Sequence, residues 1–125
     1  MAWPEETMLA ASDAADLDQF GQEVRISADG SIIVVSAPSQ GATDVGKVYV
    51  YTGSSWATET MLTASDKAAS DFFGWSVAIS ADGSVIAVGA YLEDGAGTPP
   101  NANRGKVYVY YDTSVIYSVF GSAAA

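Results

Sequence analysis

The feature that most constrains this chain is an internal repeat with a period of about 53 residues. At that shift residues 3–38 align with residues 56–91, and about 22 of the 36 aligned positions are identical. After an insertion of about six residues, the hexapeptide Gly-Lys-Val-Tyr-Val-Tyr of 46–51 returns unchanged at 105–110. The sequence therefore predicts one structural unit built twice within a single domain, residues 1–125, with units at 3–55 and 56–111 and a divergent tail at 112–125.

Each unit has the pattern of short strands and no long helical pattern. Apolar residues alternate with small or polar ones around an Asp-Gly pair, which favours a tight hairpin because Gly accepts a positive φ. A Val-Tyr alternation then predicts a third strand in each unit, at 47–51 and 106–110. The stretch 56–63 follows the first of these across a turn-rich link, so we expect it to be the outer strand of that sheet. The apolar positions that alternate are Val24, Ile26, Ile33 and Val35 in the first unit and Val77, Ile79, Ile86 and Val88 in the second.

These residues resemble FG-GAP repeats, the blades of integrin-α-like and bacterial propellers. The resemblance implies an all-β fold of two four-stranded antiparallel β-propeller blades. On physical grounds, each Phe is interpreted as an apolar side chain that fills the space between blades, and the adjoining Gly as a position where one backbone approaches another. The positions that carry the resemblance are Phe20, Gly21, Ala37 and Pro38 in the first unit, and Phe73, Gly74, Gly89 and Ala90 in the second. Ser36 stands where the family has glycine and Tyr91 where it has proline.

Two blades alone leave broad apolar faces and strand edges open to water. Closed propellers have about four to eight blades, so we expect a homo-oligomer, with a trimer of six blades first and a tetramer second. Residues 3–10 repeat the outer-strand segment but precede any sheet, which places them to pair with another chain's second blade. A strand-like stretch at 112–120 is the alternative partner for that blade.

The charge and residue composition of the chain disfavour several classes of function and partner. A formal net charge of −10 disfavours nucleic acid and anionic membrane surfaces as partners. The chain has no histidine and no cysteine, which removes the usual general base and thiolate chemistry, so we expect no enzyme activity. Its apolar runs are of strand length, which predicts no membrane insertion, and the first residues lack the pattern of a secretion signal.

Two groups of residues are candidates for binding. In the loop before the second Gly-Lys, four oxygen-bearing side chains suit a hard cation, although a solvated loop is the favoured interpretation: Glu93, Asp94, Asn101 and Asn103. We therefore expect no cofactor, with calcium as the open alternative. Trp75 and Tyr91 are the candidate ligand surface, because the first unit has Gln22 and Pro38 at the matching positions. An acidic group before each Phe-Gly, comprising Asp13, Asp16, Asp18, Asp66 and Asp71, is interpreted as turn capping.

The function expected from these features is a structural or adhesive propeller module. It would bind protein or glycan through a rigid face, assemble with itself, and act on a virion, on a cell surface or in a secreted assembly. Two alternatives stay open: a glycan-active hydrolase or lyase, which needs clustered carboxylates and arginines, and a calcium-dependent adhesion domain.

Overall fold

The strands of the chain follow the repeat. The structure, a computed structural model, describes residues 2–68, 70–91 and 104–112. A π-helical turn at Gln40–Asp44 and a 3-10 turn at Ser54–Trp56 lie between consecutive strands. The strands are β1 (Val24–Ile26), β2 (Ile33–Ala37), β3 (Lys47–Thr52), β4 (Thr58–Leu62), β5 (Ser76–Ile79), β6 (Val85–Ala90) and β7 (Lys106–Tyr111).

The first blade is a four-stranded antiparallel sheet in the order β1-β2-β3-β4. Val34 pairs with Val50 and Val50 with Thr60, so β2, β3 and β4 lie side by side in sequence order. The outer strand β4 comes from the first residues of the second repeat, as the sequence predicts. The first blade is therefore completed by the repeat that follows it.

The second blade is an antiparallel sheet of three strands within the described residues, in the order β5-β6-β7. The all-β prediction is confirmed, but four strands were predicted here and three are described. Residues 113–125 lie outside the described part. Residues 3–10, which repeat the sequence of β4 and its flanks, form no strand.

The Asp-Gly turns explain why both hairpins close in the same way. The Asp29 carboxylate accepts hydrogen bonds from the Ser31 amide at 3.0 Å and from the Ser27 hydroxyl at 2.9 Å. Asp82 makes the same bonds with Ser84 and Ser80, each at 3.0 Å. The glycine after each Asp has a φ of +78°, a conformation that other residues adopt only with strain.

The main apolar core lies between the two blades. It joins Val34, Val48 and Val50 of the first blade to Phe73 and Val88 of the second. A second cluster, around Tyr49 and Tyr51 and including Ala11, covers the other side of the first blade. Strand β2 is therefore buried on both faces in its middle, rather than on the single face that its alternation suggests.

Within the described residues, no helix is long and apolar enough to cross a bilayer.

Candidate ligand-binding site

Three aromatic side chains of the second repeat form one exposed group, which we call the aromatic cluster: Phe72, Trp75 and Tyr91. The ring centroids of Trp75 and Tyr91 are 4.7 Å apart, and Phe72 meets Trp75 edge to face at 6.1 Å. Trp75 remains 41% exposed and Tyr91 47% exposed. The cluster therefore presents flat apolar surface to solvent while its rings hold one another in place.

The fold positions these rings through the ends of two paired strands. Trp75 precedes β5 and Tyr91 follows β6, and the register pairs Ser76 with Gly89. The Trp75 amide also lies 3.2 Å from the Gly89 carbonyl oxygen, to which it donates. Neighbouring antiparallel strands thus bring together two residues that are far apart in sequence.

Polar groups of the first repeat border the aromatic cluster. A shallow depression of about 580 Å³ is lined by Phe72 and Trp75 on one side and by Gln19, Gln22 and Ser39 on the other. The Ser39 hydroxyl donates to the Gln19 side-chain oxygen at 3.2 Å. The depression thus combines aromatic rings with neutral amides that can donate and accept hydrogen bonds.

Only the second repeat carries the cluster, because the first has Gln19, Gln22 and Pro38 at the three matching positions. The structure brings the predicted pair, Trp75 and Tyr91, into contact. Phe72 is not among the residues predicted from the sequence. The first repeat has Gln19 at the position of Phe72, and this difference between the repeats could have identified Phe72 as a site residue.

Most of the family-signature residues lie in the blade core, whereas Phe20 and Gly21 line the depression beside the aromatic cluster. The Phe73 ring packs edge to face against Tyr108 and Tyr110, at 5.4 and 6.3 Å. Phe20 packs in the same way against the matching tyrosines, Tyr49 and Tyr51, at 5.3 and 6.3 Å. The smaller signature residues Ala37, Pro38 and Ala90 are fully buried, and Gly74 and Gly89 lie against other atoms that a Cβ would crowd.

A second set of contacts, present in both repeats, joins the third strand of each repeat to the loop that precedes its Phe-Gly pair. The Asp13 carboxylate accepts from Lys47 Nζ and from the Tyr49 hydroxyl, both at 2.6 Å. The hydrogen bond from Lys47, followed by that from Tyr49, lowers the pKa of the Asp13 carboxyl. Burial, with the nearby Asp13 carboxylate, raises the pKa of Tyr49.

The matching residues of the second repeat repeat this geometry. Asp66 accepts from Lys106 Nζ and from the Tyr108 hydroxyl, both at 2.5 Å, and the hydrogen bond from Lys106 lowers the pKa of Asp66. The turn-capping interpretation is therefore wrong for Asp13 and Asp66, whose carboxylates bind side chains. It holds for Asp18, which accepts from the Ala15 amide, and for Asp71, which accepts from Ala68.

The four predicted calcium ligands, Glu93, Asp94, Asn101 and Asn103, lie outside the described residues. Over 2–68, 70–91 and 104–112, no three acidic side chains are grouped so that they could hold a metal ion.

The chain matches the sequence model of a known family. A family model described as FG-GAP repeat matches residues 3–51 and again residues 56–110. No curated protein and no solved structure matches the chain. The two matched segments coincide with the two repeats and together cover most of the chain.

Proposed function

The chain is a member of the FG-GAP repeat family, and we propose that it is a non-enzymatic adhesive module, a pair of β-propeller blades that binds a ligand on its aromatic cluster and assembles with further copies of itself. Adhesion on a virion, on a cell surface or in a secreted assembly is the setting that fits this role.

The observation that carries the binding proposal is the exposure of Trp75 and Tyr91. Large aromatic rings are normally buried, because each removes a large apolar area from water when it is covered. Here two rings in contact, with their planes tilted by 42°, stay open beside a depression, at positions where the first repeat has Gln22 and Pro38. The first repeat folds into the same hairpin without them, so the blade does not need these rings.

The ligand class that fits the cluster best is a neutral glycan. The apolar face of a sugar ring stacks on an aromatic ring, and the amides of Gln19 and Gln22 are suited to bind its hydroxyl groups. The net charge of −10 disfavours anionic glycans. A protein ligand is the second candidate, because exposed aromatic rings also anchor protein interfaces.

The absence of histidine and cysteine from the sequence supports a non-enzymatic role. The carboxylates of Asp29 and Asp82 accept hydrogen bonds from residues of their own hairpin turns. Those of Asp13 and Asp66 accept hydrogen bonds from lysine and tyrosine side chains. The calcium-dependent alternative is tested by melting the protein with and without EDTA. A melting temperature that EDTA lowers would favour a calcium-dependent module.

The binding test uses a panel of immobilised neutral oligosaccharides, with affinity for any hit measured by titration calorimetry. We expect Trp75→Gln, which installs the residue of the first repeat, to weaken binding at least tenfold, because it removes the stacking ring. Met61→Gln is the matched control, since Met61 is 40% exposed on β4, outside the depression. Equal affinities for the wild type and Trp75→Gln would refute the cluster as the site. A panel without any hit would refute the glycan and leave the protein ligand to be sought.

A further inference from the structure

We infer that copies of this chain join head to tail, with residues 3–10 of one copy adding the fourth strand to the second blade of another copy. The turn at Phe20-Gly21 of the first copy then seats on the open face of that blade. This inference rests on the self-assembly in the proposed function and names the two surfaces that make it.

The joint between the two blades of one chain is the template. The amides of Phe72 and Phe73 donate to the carbonyl oxygens of Asp44 and Val45, each at 3.1 Å. A Cβ on Gly74 would lie 3.1 Å from side-chain atoms of both Ser36 and Val48. The Phe-Gly turn of the second repeat is thus held against the first blade by hydrogen bonds and by close packing.

Among the described residues, the same turn in the first repeat has no such neighbour. A Cβ on Gly21 would meet no atom within 4 Å, although its φ of +93° matches the +94° of Gly74. Val24 is 50% exposed, whereas Val77 at the matching position is 5% exposed. Phe20 is partly exposed, whereas Phe73 is fully buried. The side of the first blade that carries the turn is therefore built for contact with a blade and is left open.

The second blade carries the complementary open face. Val107 and Val109 of β7 are 66% and 53% exposed, whereas their counterparts Val48 and Val50 are 0% and 8% exposed. The difference arises because the second blade of the chain covers Val48 and Val50. Nothing in the described part of the chain covers β7 in that way.

The second blade also has a preformed seat for the turn. A depression of about 480 Å³ is lined by Gly89, Gly105, Lys106 and Val107. These are the counterparts of Ser36, Gly46, Lys47 and Val48, which surround Phe73-Gly74 within one chain. In the joined pair, the Phe20 amide donates to the Arg104 carbonyl oxygen, as the Phe73 amide does to that of Val45.

In this joint, residues 3–10 supply the outer strand that the described part of the second blade does not contain. They repeat the sequence around β4, which pairs with β3 through Val50 and Thr60. Transferring that register places Thr7 of one copy opposite Val109 of the next. Outside any strand, Trp3 and Met8 are 83% and 85% exposed. Addition of this strand to β7 pairs the edge that no described strand occupies and covers exposed apolar residues.

We assign a second copy of this chain to the open face of the second blade, because it offers both residues 3–10 as a strand and the Phe20-Gly21 turn. The two elements have the same spacing in sequence as their counterparts in the joint within the chain. The two surfaces differ, so the contact is heterologous and closes into a ring only if the rotation fits. With two blades in each copy, a ring of about four to eight blades holds two to four copies. We expect three.

The first test measures mass by size-exclusion chromatography with light scattering. We expect the wild type to elute as a multiple of 12.9 kDa and Thr7→Pro to elute as a monomer, because proline cannot donate to a strand ladder. Thr7 lies outside every strand of its own chain, so the circular dichroism spectrum should be unchanged. Val109→Lys tests the acceptor edge in the same way, and Thr7→Ser is the conservative control that should keep the wild-type mass.

The second test fixes the register, using the absence of cysteine from the sequence. Protein carrying Thr7→Cys is mixed with protein carrying Val109→Cys, and oxidation should give a covalent dimer, because directly opposed residues lie within disulfide reach. Thr7→Cys mixed with Val107→Cys is the register control and should cross-link at least tenfold less.

The outcomes separate this inference from the rest of the proposed function. A monomeric wild type would overturn both the joint and self-assembly. A stable oligomer that Thr7→Pro and Val109→Lys leave intact, or that forms no Thr7–Val109 cross-link, would overturn the joint alone. A chain carrying both cysteines that cross-links only to itself would show that residues 3–10 fold back onto their own second blade, and would also overturn it. Phe20 and Gly21 also line the depression beside Trp75, and Tyr91 lines the seat on the second blade. Glycan binding and its loss in Trp75→Gln are therefore measured both in otherwise wild-type protein and in protein that also carries Thr7→Pro, which separates a loss of the ligand site from a loss of the joint.

Discussion

The indole N–H of Trp56 donates a hydrogen bond to the carbonyl oxygen of Gly30 at 3.1 Å. Trp56 opens the second repeat, whereas Gly30 lies in the hairpin turn of the first. Structural blades are thus offset from sequence repeats, and β4 extends the same overlap along the whole outer strand. The second repeat therefore begins by finishing the blade that precedes it.

Replacing Trp56 by Phe should lower the free energy of unfolding by about 1 kcal/mol, because the Gly30 carbonyl loses a hydrogen bond while much of the ring packing remains. Urea denaturation followed by circular dichroism measures this. In dilute, monomeric protein, Trp3→Phe should change stability far less, since Trp3 is 83% exposed. Equal losses of unfolding free energy in Trp56→Phe and Trp3→Phe would contradict a stabilising role for the hydrogen bond between Trp56 and Gly30.

Phe73→Ala should destabilise the chain by about 3 to 5 kcal/mol, the usual loss for a large buried aromatic residue. Phe20→Ala should cost less, because Phe20 is partly exposed. Both rings make the same edge-to-face contacts with two tyrosines of their own repeat. The difference between the two losses, measured by denaturation of dilute protein, therefore reports the contribution of the neighbouring blade. Equal losses would show that the blade contact stabilises nothing.

Much of the fold could be predicted from the sequence because its signals are local. The Asp-Gly pairs specify the hairpins through hydrogen bonds within five residues, such as Asp29 to Ser31. The outer strand could be assigned because residues 56–63 follow the third strand across a short, turn-rich link. For the candidate site, comparing the repeats identified Trp75 and Tyr91, since a ring that only one copy carries is not required by the blade.

What the sequence left open depends on contacts between distant residues. Alternation predicts one buried face for β2, but Val34 packs toward the second blade and Val35 toward the cluster with Ala11. The partners of Asp13 lie 34 and 36 residues away on β3, so local turn preference gave the wrong interpretation. Phe72 was missed because it adjoins the signature Phe73, whose ring goes into the core instead.

Gly74→Ala should destabilise the chain more than Gly21→Ala does. Both glycines have a φ near +94°, so backbone strain of about 1 to 2 kcal/mol is common to the two variants. Only Gly74 adds a steric conflict, with Ser36 and Val48, and overpacking typically costs a further 1 to 3 kcal/mol. Thermal denaturation of dilute protein tests this ranking, and a lower melting temperature for Gly21→Ala than for Gly74→Ala would contradict it.

Acid should weaken the fold through the carboxylates of Asp13 and Asp66. Hydrogen bonds from Lys47 and Lys106 lower the pKa of these carboxyls below the ordinary value of 3.8. A lowered pKa in the folded state means that the stabilisation is complete above 3.8 and is lost as the pH falls through the folded-state pKa. Both groups are partly solvent-exposed, so each contributes no more than about 1 kcal/mol.

Asp13→Asn should therefore lower stability at pH 7 by up to about 1 kcal/mol and reduce the loss of stability between about pH 5 and pH 2. The variant keeps an oxygen for the Tyr49 hydroxyl but loses the ion pair with Lys47. Urea denaturation at a series of pH values, at fixed ionic strength, measures both effects. Asp16→Asn, an exposed change in the same loop, controls for the loss of one negative charge. An acid dependence as steep in Asp13→Asn as in the wild type would show that the Asp13–Lys47 pair does not set it.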